Sequence, residues 1–230
     1  MKNIKFILLS VIAVLCGSNV NAQSLKICKT DGTFIMVPYS ELDRIVAVNN
    51  DEEVTEHEFV DLGLSVKWAT CNIGAENAED HGDYFAWGEL ATKDSYENSN
   101  SVTYNKDVED FAGNPEFDVA AALWGGSARM PTEAELQELV DSCTWDIIAE
   151  EGTNGMLVTG PNGNSIFLPA AGANFGTSVE YGDMFGFYWG STPYGDLNDR
   201  GCCLNFYNFG GQSIFWGYRK DGYSVRPVME

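Results

Sequence analysis

Asp118-Val119-Ala120-Ala121-Ala122-Leu123-Trp124-Gly125-Gly126, followed by Thr132-Glu133-Ala134-Glu135-Leu136-Gln137-Glu138-Leu139-Val140-Asp141-Ser142-Cys143, carries the two convincing helical signals of this 230-residue chain. Asp118 can accept from the first free N–H groups of the run behind it. Gly125-Gly126 stops that run, because glycine takes up the left-handed conformation that ends helices. Thr132 and Glu135 stand at capping-box spacing, and Leu136, Leu139, Val140 and Cys143 recur at helical intervals, so the second helix should bury one face. Beyond it, Met156-Leu157-Val158-Thr159 and Ser165-Ile166-Phe167-Leu168 flank Pro161-Asn162-Gly163-Asn164 as a hairpin. Later strands are expected near 187–191, 201–207, 213–218 and 224–228. Two helices leading into a Gly- and Trp-rich antiparallel sheet with long loops predict an α+β fold.

Residues 181–223 hold 13 of the 29 aromatic side chains, set among Gly, Asn, Ser and Asp. Such a stretch makes a core, a binding face, or both. Rings supply contact area at small entropic cost and short polar residues supply adaptable hydrogen bonds, the composition that recognition surfaces favour. No evident catalytic set lies within it.

Toward the N-terminus, Lys2 and Lys5 accompany an apolar run from Ile4 to Cys16, and a polar stretch ends in Val20-Asn21-Ala22. This reads as a secretory signal over 1–22, cut before Gln23, and the run is too short to span a bilayer. Lipid anchoring at Cys16 is the weaker reading, because Leu15 stands where a lipoprotein signal wants a small residue. Residues 23–48 read as a small β unit. Leu25-Lys26-Ile27-Cys28 and Phe34-Ile35-Met36-Val37 flank Asp31-Gly32 as a hairpin, and Arg44-Ile45-Val46-Ala47-Val48 is a third short strand. Residues 49–58, with Asp51, Glu52, Glu53, Glu56 and Glu58, read as an acidic linker before a main domain over 59–230.

The formal charge is −21, and removal of the leader takes away two further lysines. A surface so acidic repels phosphate and offers no basic stripe, which argues against nucleic acid. The charge itself serves solubility. Five cysteines remain after processing, Cys28, Cys71, Cys143, Cys202 and Cys203, an odd number that leaves at least one thiol unpaired. A Cys71 to Cys143 bridge and two buried thiols are both open. Cys202 and Cys203 are poor partners for each other, since strand neighbours point to opposite faces; one thiol is expected inside and one outside.

The order Val60-Asp61-Leu62-Gly63-Leu64-Ser65-Val66-Lys67-Trp68-Ala69-Thr70-Cys71-Asn72-Ile73-Gly74-Ala75, then Gly82-Asp83-Tyr84-Phe85-Ala86-Trp87-Gly88-Glu89, resembles the bacterial family called the Fibrobacter succinogenes major paralogous domain. Trp124-Gly125-Gly126, Arg129-Met130-Pro131-Thr132, Cys143-Thr144-Trp145, Phe167-Leu168-Pro169-Ala170-Ala171-Gly172, Tyr188-Trp189-Gly190-Ser191-Thr192 and Ser224-Val225-Arg226-Pro227-Val228 continue the resemblance across most of 59–228. The resemblance implies a C-type lectin-like fold related to the formylglycine-generating enzyme fold, in mostly exported proteins of unassigned activity. The Lys29-Thr30-Asp31-Gly32 unit resembles a segment often found ahead of such domains in gut Bacteroidetes proteins.

Fold likeness does not carry function, so each chemistry is weighed on residues. The Glu-Pro-Asn or Gln-Pro-Asp loop and Trp-Asn-Asp strand of calcium-dependent lectins are missing; Asn114-Pro115-Glu116 is the wrong pattern. In Asp196-Leu197-Asn198-Asp199-Arg200-Gly201 the third alternating oxygen ligand is replaced by Arg200. Adjacent Cys202 and Cys203 do not suit a shared copper, and neither His57 nor His81 has a helical zinc partner. Asp83 and Glu89 read as structural carboxylates, and Arg129 and Arg226 as ion-paired at the core edge. No catalytic residue, metal or cofactor is expected.

Trp68, Trp87, Trp124, Trp145 and Trp189 fall in the family's anchors and read as core. Between the anchors, Tyr194, Asp196, Asn198, Asp199, Arg200, Asn205, Tyr207, Asn208, Gln212, Trp216, Tyr218 and Arg219 are the candidate ligand-binding residues. The resemblance implies that this C-terminal face is a recognition surface, diversified by retroelements in some relatives. The expectation is an exported, non-catalytic recognition module at the cell surface, outside the cell or in the periplasm. Its partner would be a protein or glycan, with no nucleic acid and no transmembrane span. The alternatives are a structural or assembly component of the cell envelope, with envelope-associated partners, and an enzyme of the formylglycine-generating type.

Overall fold

The computed structural model describes the backbone of Ser24–Cys28 and Phe34–Pro38, and residues 57–195 and 197–230. The leader, the strand expected at 44–48 and residues 49–56 lie outside the described residues. The chain divides into two compact units, Met1–Thr55 and Glu56–Glu230. In the first, β1 (Ser24–Cys28) pairs antiparallel with β2 (Phe34–Pro38), Cys28 opposite Phe34, around the Asp31-Gly32 turn signal.

The second unit contains both expected helices. In α1 (Val119–Leu123), Asp118 Oδ1 accepts from the N–H groups of Ala120 (2.9 Å) and Ala121 (3.0 Å), while its Oδ2 accepts from Gly113 (2.7 Å) and Met130 (2.9 Å). One carboxylate thus caps a helix and ties two loops to it. In α2 (Glu133–Ser142), Thr132 and Glu135 form the capping box, and Leu136 and Leu139 are buried. Glu135 also receives Arg129 bidentately at 2.6 and 2.8 Å, the ion pair expected of that arginine.

The strands of this unit form small antiparallel sheets, none of them closed, so the fold is α+β. A meander joins β5 (Thr144–Glu150), β6 (Thr153–Thr159) and β7 (Ser165–Pro169), the last two being the hairpin read from the sequence. β3 (Phe59–Asp61) and β4 (Lys67–Ala69) pair with each other, and β8 (Ala173–Phe175) pairs with β9 (Ser178–Glu180). The sheet of β10 (Phe185–Pro193), β11 (Arg200–Tyr207) and β12 (Gln212–Tyr218) has β11 at its centre. β13 (Val228–Met229) is shorter than the strand expected over 224–228 and pairs with β4. The residues before it divide their backbone bonds among several partners: Ser224 O accepts from Trp189 (3.0 Å), Val225 O from Ile73 (3.0 Å) and Pro227 O from Ala69 (2.9 Å). No single ladder forms, and Pro227 has no N–H to contribute.

Cys202 and Cys203 locate the core. Residues 201–206 are all buried. Cys202, Leu204 and Phe206 join a cluster with Trp68, Leu136, Leu139, Val158, Leu168 and Tyr188. Cys203 points the other way, into Ile73, Phe85, Trp87, Val119, Met130, Trp189 and Tyr223. The expectation of one outward thiol is therefore corrected: both faces of β11 are covered, and both thiols are 0% exposed. A strand buried on both sides reads as an unbroken apolar run, as Cys202-Cys203-Leu204 does. Cys71, Cys143, Cys202 and Cys203 are free, which settles the open Cys71 to Cys143 alternative against a bridge.

Candidate recognition surface

The face of the central sheet that carries Cys203 starts in the core and ends at the surface. Trp189 stacks on Tyr223 at 4.2 Å between centroids, Tyr223 on Phe187 at 5.1 Å and Phe187 on Phe185 at 6.0 Å. Phe185 meets Tyr207 edge-on at 5.0 Å, and Tyr207 stacks on Phe209 at 5.4 Å. Exposure rises along this ladder from 0% at Trp189 to 68% at Phe209. Tyr181, 50% exposed, joins at Phe185 (5.3 Å) and Phe175 (6.0 Å). Contiguous exposed rings of this kind mark interaction sites more often than scattered apolar residues do.

Two tied loops present the outer rings. The hairpin between β11 and β12 turns through Gly210 (φ 100°) and Gly211 (φ 110°), and Gly211 O accepts from Tyr207 N–H at 3.0 Å. Phe209 is thereby carried at the tip. The Asn208 N–H donates to Met184 O at 2.8 Å, and its side-chain amide donates to Asp183 O. In the facing loop Tyr181 and Asp183 both have φ near 62°, in the left-handed region unfavourable for bulky side chains. Gly172 allows this loop to seat, since a methyl group there would lie 2.2 Å from Glu180 O and 2.7 Å from Gly182 N. Strained backbone is characteristic of binding and catalytic segments.

The candidate residues do not form one face. Tyr207 lies on the Cys203 side of the sheet, whereas Trp216 pairs with Cys202 and packs on the opposite core. Around Trp216 a second group assembles: Tyr194 at 4.5 Å, and Arg200, whose guanidinium lies 4.1 Å from the Tyr218 ring and donates to Trp216 O at 3.2 Å. Tyr194 and Tyr218 remain exposed. Gln212 is half-buried at the start of β12. Asn198 is half-buried, with its carbonyl engaged by Asn105 N–H at 2.8 Å. Asp199 is partly buried 3.9 Å from Arg200. Asp196 lies outside the described residues.

Two candidates are corrected outright. Asn205 is 5% exposed and spends its amide on Gly186 O at 3.2 Å. Arg219 is 0% exposed; it stacks on Trp87 at 4.2 Å and donates to Arg200 O, Thr103 O and Lys106 O at 3.0, 3.1 and 2.8 Å. Burial pulls its pKa down to about 10. It fastens the 103–106 loop to the end of β12 and is unavailable to a ligand. Asn208 is likewise a loop tie, leaving Tyr207 as the residue read from sequence that stands in the ladder. Phe209, Phe185, Tyr181 and Phe175 were not singled out. The one available signal was Asn208-Phe209-Gly210-Gly211, an aromatic in a turn that no core can reach.

Other candidate chemistry resolves into internal contacts. Glu89 accepts from Val102 N–H at 2.8 Å and pairs with Lys93 at 2.7 Å, and Asp83 donates its N–H to Ile73 O at 2.9 Å. His57 stacks on Trp124 at 3.6 Å. Trp68, Trp87 and Trp189 are core, while Trp124 and Trp145 are half-buried. Arg226 corrects its expected role: fully buried, it donates to Asn72 Oδ1 (2.8 Å), Ala69 O (3.0 Å) and Thr70 O (2.6 Å), with no carboxylate among these partners. Burial pushes the Cys143 thiol up to about 11 and raises Cys202 and Cys203 further, away from the thiolate a nucleophile needs. Among the described residues no three His, Cys, Asp or Glu side chains gather as a metal site, and no helix is long and apolar enough to cross a membrane. No family model, curated protein or solved structure matches the chain.

Proposed function

We propose that residues 59–230 are an exported, non-catalytic recognition module of C-type lectin-like fold that binds a protein or glycan ligand through aromatic rings near its C-terminus. The observation that carries this reading is the ladder ending in Tyr207, Phe209 and Tyr181. It leaves Phe209 and Tyr181 exposed and Tyr207 half-buried beside them, held by Asn208 and by two left-handed residues. Rigid aromatics with few rotatable bonds form the energetic centres of interfaces. A binding site preorganised in this way spends little free energy on ordering.

The test is a glycan and protein array probed with residues 23–230 beside a Tyr207→Ala/Phe209→Ala variant of native circular dichroism. Trp216 is left intact because it packs on the core. Truncating interface centres costs about 2 kcal/mol or more, so affinity should fall by at least about 30-fold. Binding unchanged by the variant, or no binding across both arrays, would discard the reading in favour of a structural component of the envelope.

A further inference from the structure

Between Met130 and Tyr218 the one cation is Arg200, at the opposite end of β11 from Tyr207 and already stacked on Tyr218. From Met130 to Asp199 there is no lysine, arginine or histidine, and residues 201–218 contain no charged residue of either sign. The charges that flank Tyr181 in the sequence are acidic. Glu180 and Asp183 are exposed on either side of Tyr181, and a methyl group on Gly176, next to Phe175, would lie 3.5 Å from Glu97 Oε1. Ring faces carry negative quadrupole density, so the carboxylates and the rings favour the same sign of ligand charge.

We infer that the Tyr181, Tyr207 and Phe209 surface takes an arginine-bearing segment of a partner protein, a guanidinium lying on the rings with Glu180 and Asp183 at the rim. This rests on the recognition reading above and narrows it. Arginine fits better than lysine because its planar guanidinium is less strongly hydrated and stacks on rings while its N–H groups still reach carboxylates. The molecule uses the same contact internally, with Arg200 at 4.1 Å from Tyr218 and Arg219 at 4.2 Å from Trp87. A sulfated or sialylated glycan is disfavoured here, since its anionic groups would face Glu180 and Asp183.

The probe is a fluorescent peptide of four arginines separated by glycines, titrated against residues 23–230, beside its lysine and citrulline counterparts. Residues 23–230, which lack two of the lysines counted in the full chain's −21, attract any polycation. The decisive variant is therefore Tyr207→Ala/Phe209→Ala, which leaves the charge unchanged. The arginine peptide should bind most tightly, the citrulline peptide should lose at least about tenfold, and the variant should lose about tenfold as well. Glu180→Gln/Asp183→Asn should slow association and flatten its salt dependence. Equal binding by the aromatic variant would reduce the effect to diffuse attraction and overturn the inference, as would equal binding of citrulline or no binding of the arginine peptide. A neutral glycan held by the same rings would overturn it while leaving the recognition reading intact.

Discussion

Arg226 shows how a single residue can be placed by sequence and misread in role. It reads as an ion-pairing arginine, yet its guanidinium satisfies Ala69 O, Thr70 O and Asn72 Oδ1, more than 150 positions earlier in the chain. Arg226→Met keeps much of the volume and strands those acceptors. Each orphaned buried group costs about 1–3 kcal/mol, so a loss of about 3 kcal/mol or more is expected in urea unfolding. An unchanged midpoint would contradict the assigned role. Glu135 bears on pH. Burial alone would raise its carboxyl, but the Arg129 guanidinium and the Thr132 donors outweigh this and hold it below the usual range. Stability from a depressed carboxylate is complete above the unfolded value of about 4.3 and is lost as pH falls through the lower folded value. Glu135→Gln should therefore cost stability at neutral pH, and the gap from wild type should narrow in a thermal series carried into acid. A gap that stays constant with pH would sink this account. Asp118 runs the opposite way: burial raises its carboxyl despite four N–H donors, so its contribution is greatest below the unfolded carboxylate range and fades as pH rises through the folded value. An ion pair at Arg129 was legible, without its partner Glu135, whereas the partners of Arg226 were not, because backbone carbonyls are anonymous in a sequence.

Among the elements, α1 and α2 were readable for the same local reason. A cap and the residues it serves are three or four positions apart. The hairpins β1–β2 and β6–β7 were marked by their turns. β3, β4, β5, β8 and β9 lie outside the expected strands; β5 alternates poorly, with exposed Ile147 beside exposed Asp146 at the edge of its sheet. Nor did 224–228 become a ladder, since its bonds go to separate segments. Close approach between elements gives a further prediction. A Cβ on Gly217 would lie 2.5 Å from Tyr223 Cε2 and 2.8 Å from Trp189 Cη2, so Gly217→Ala wedges β12 away from the Trp189–Tyr223 stack. Overpacking of this kind costs about 1–3 kcal/mol. Near-ultraviolet circular dichroism should report the disturbed stack together with a lower unfolding midpoint, and a variant identical to wild type in both would refute the contact.

For the whole molecule the net charge of −21 sets the electrostatics. Like charges repel across a compact surface and added salt screens them, so the unfolding temperature should rise between low and physiological ionic strength. A fall over that range would mean that attractive pairs, such as Arg129–Glu135 and Lys93–Glu89, outweigh the repulsion. The α+β class, both helices, the turn-marked hairpins and the concentration of rings in 181–223 were determined by sequence alone, because caps, turns and composition act over a few residues. Which rings are inside was decided by tertiary structure. Strand alternation tells that Cys202 and Cys203 point apart, but not what lies over each face, and only the β11–β12 register puts Tyr207 and Trp216 on opposite sides. The covering comes from distant segments: Tyr223 and Val225 close over Trp189 and Cys203, while nothing in the described unit closes over Phe209, which keeps 68% of its surface.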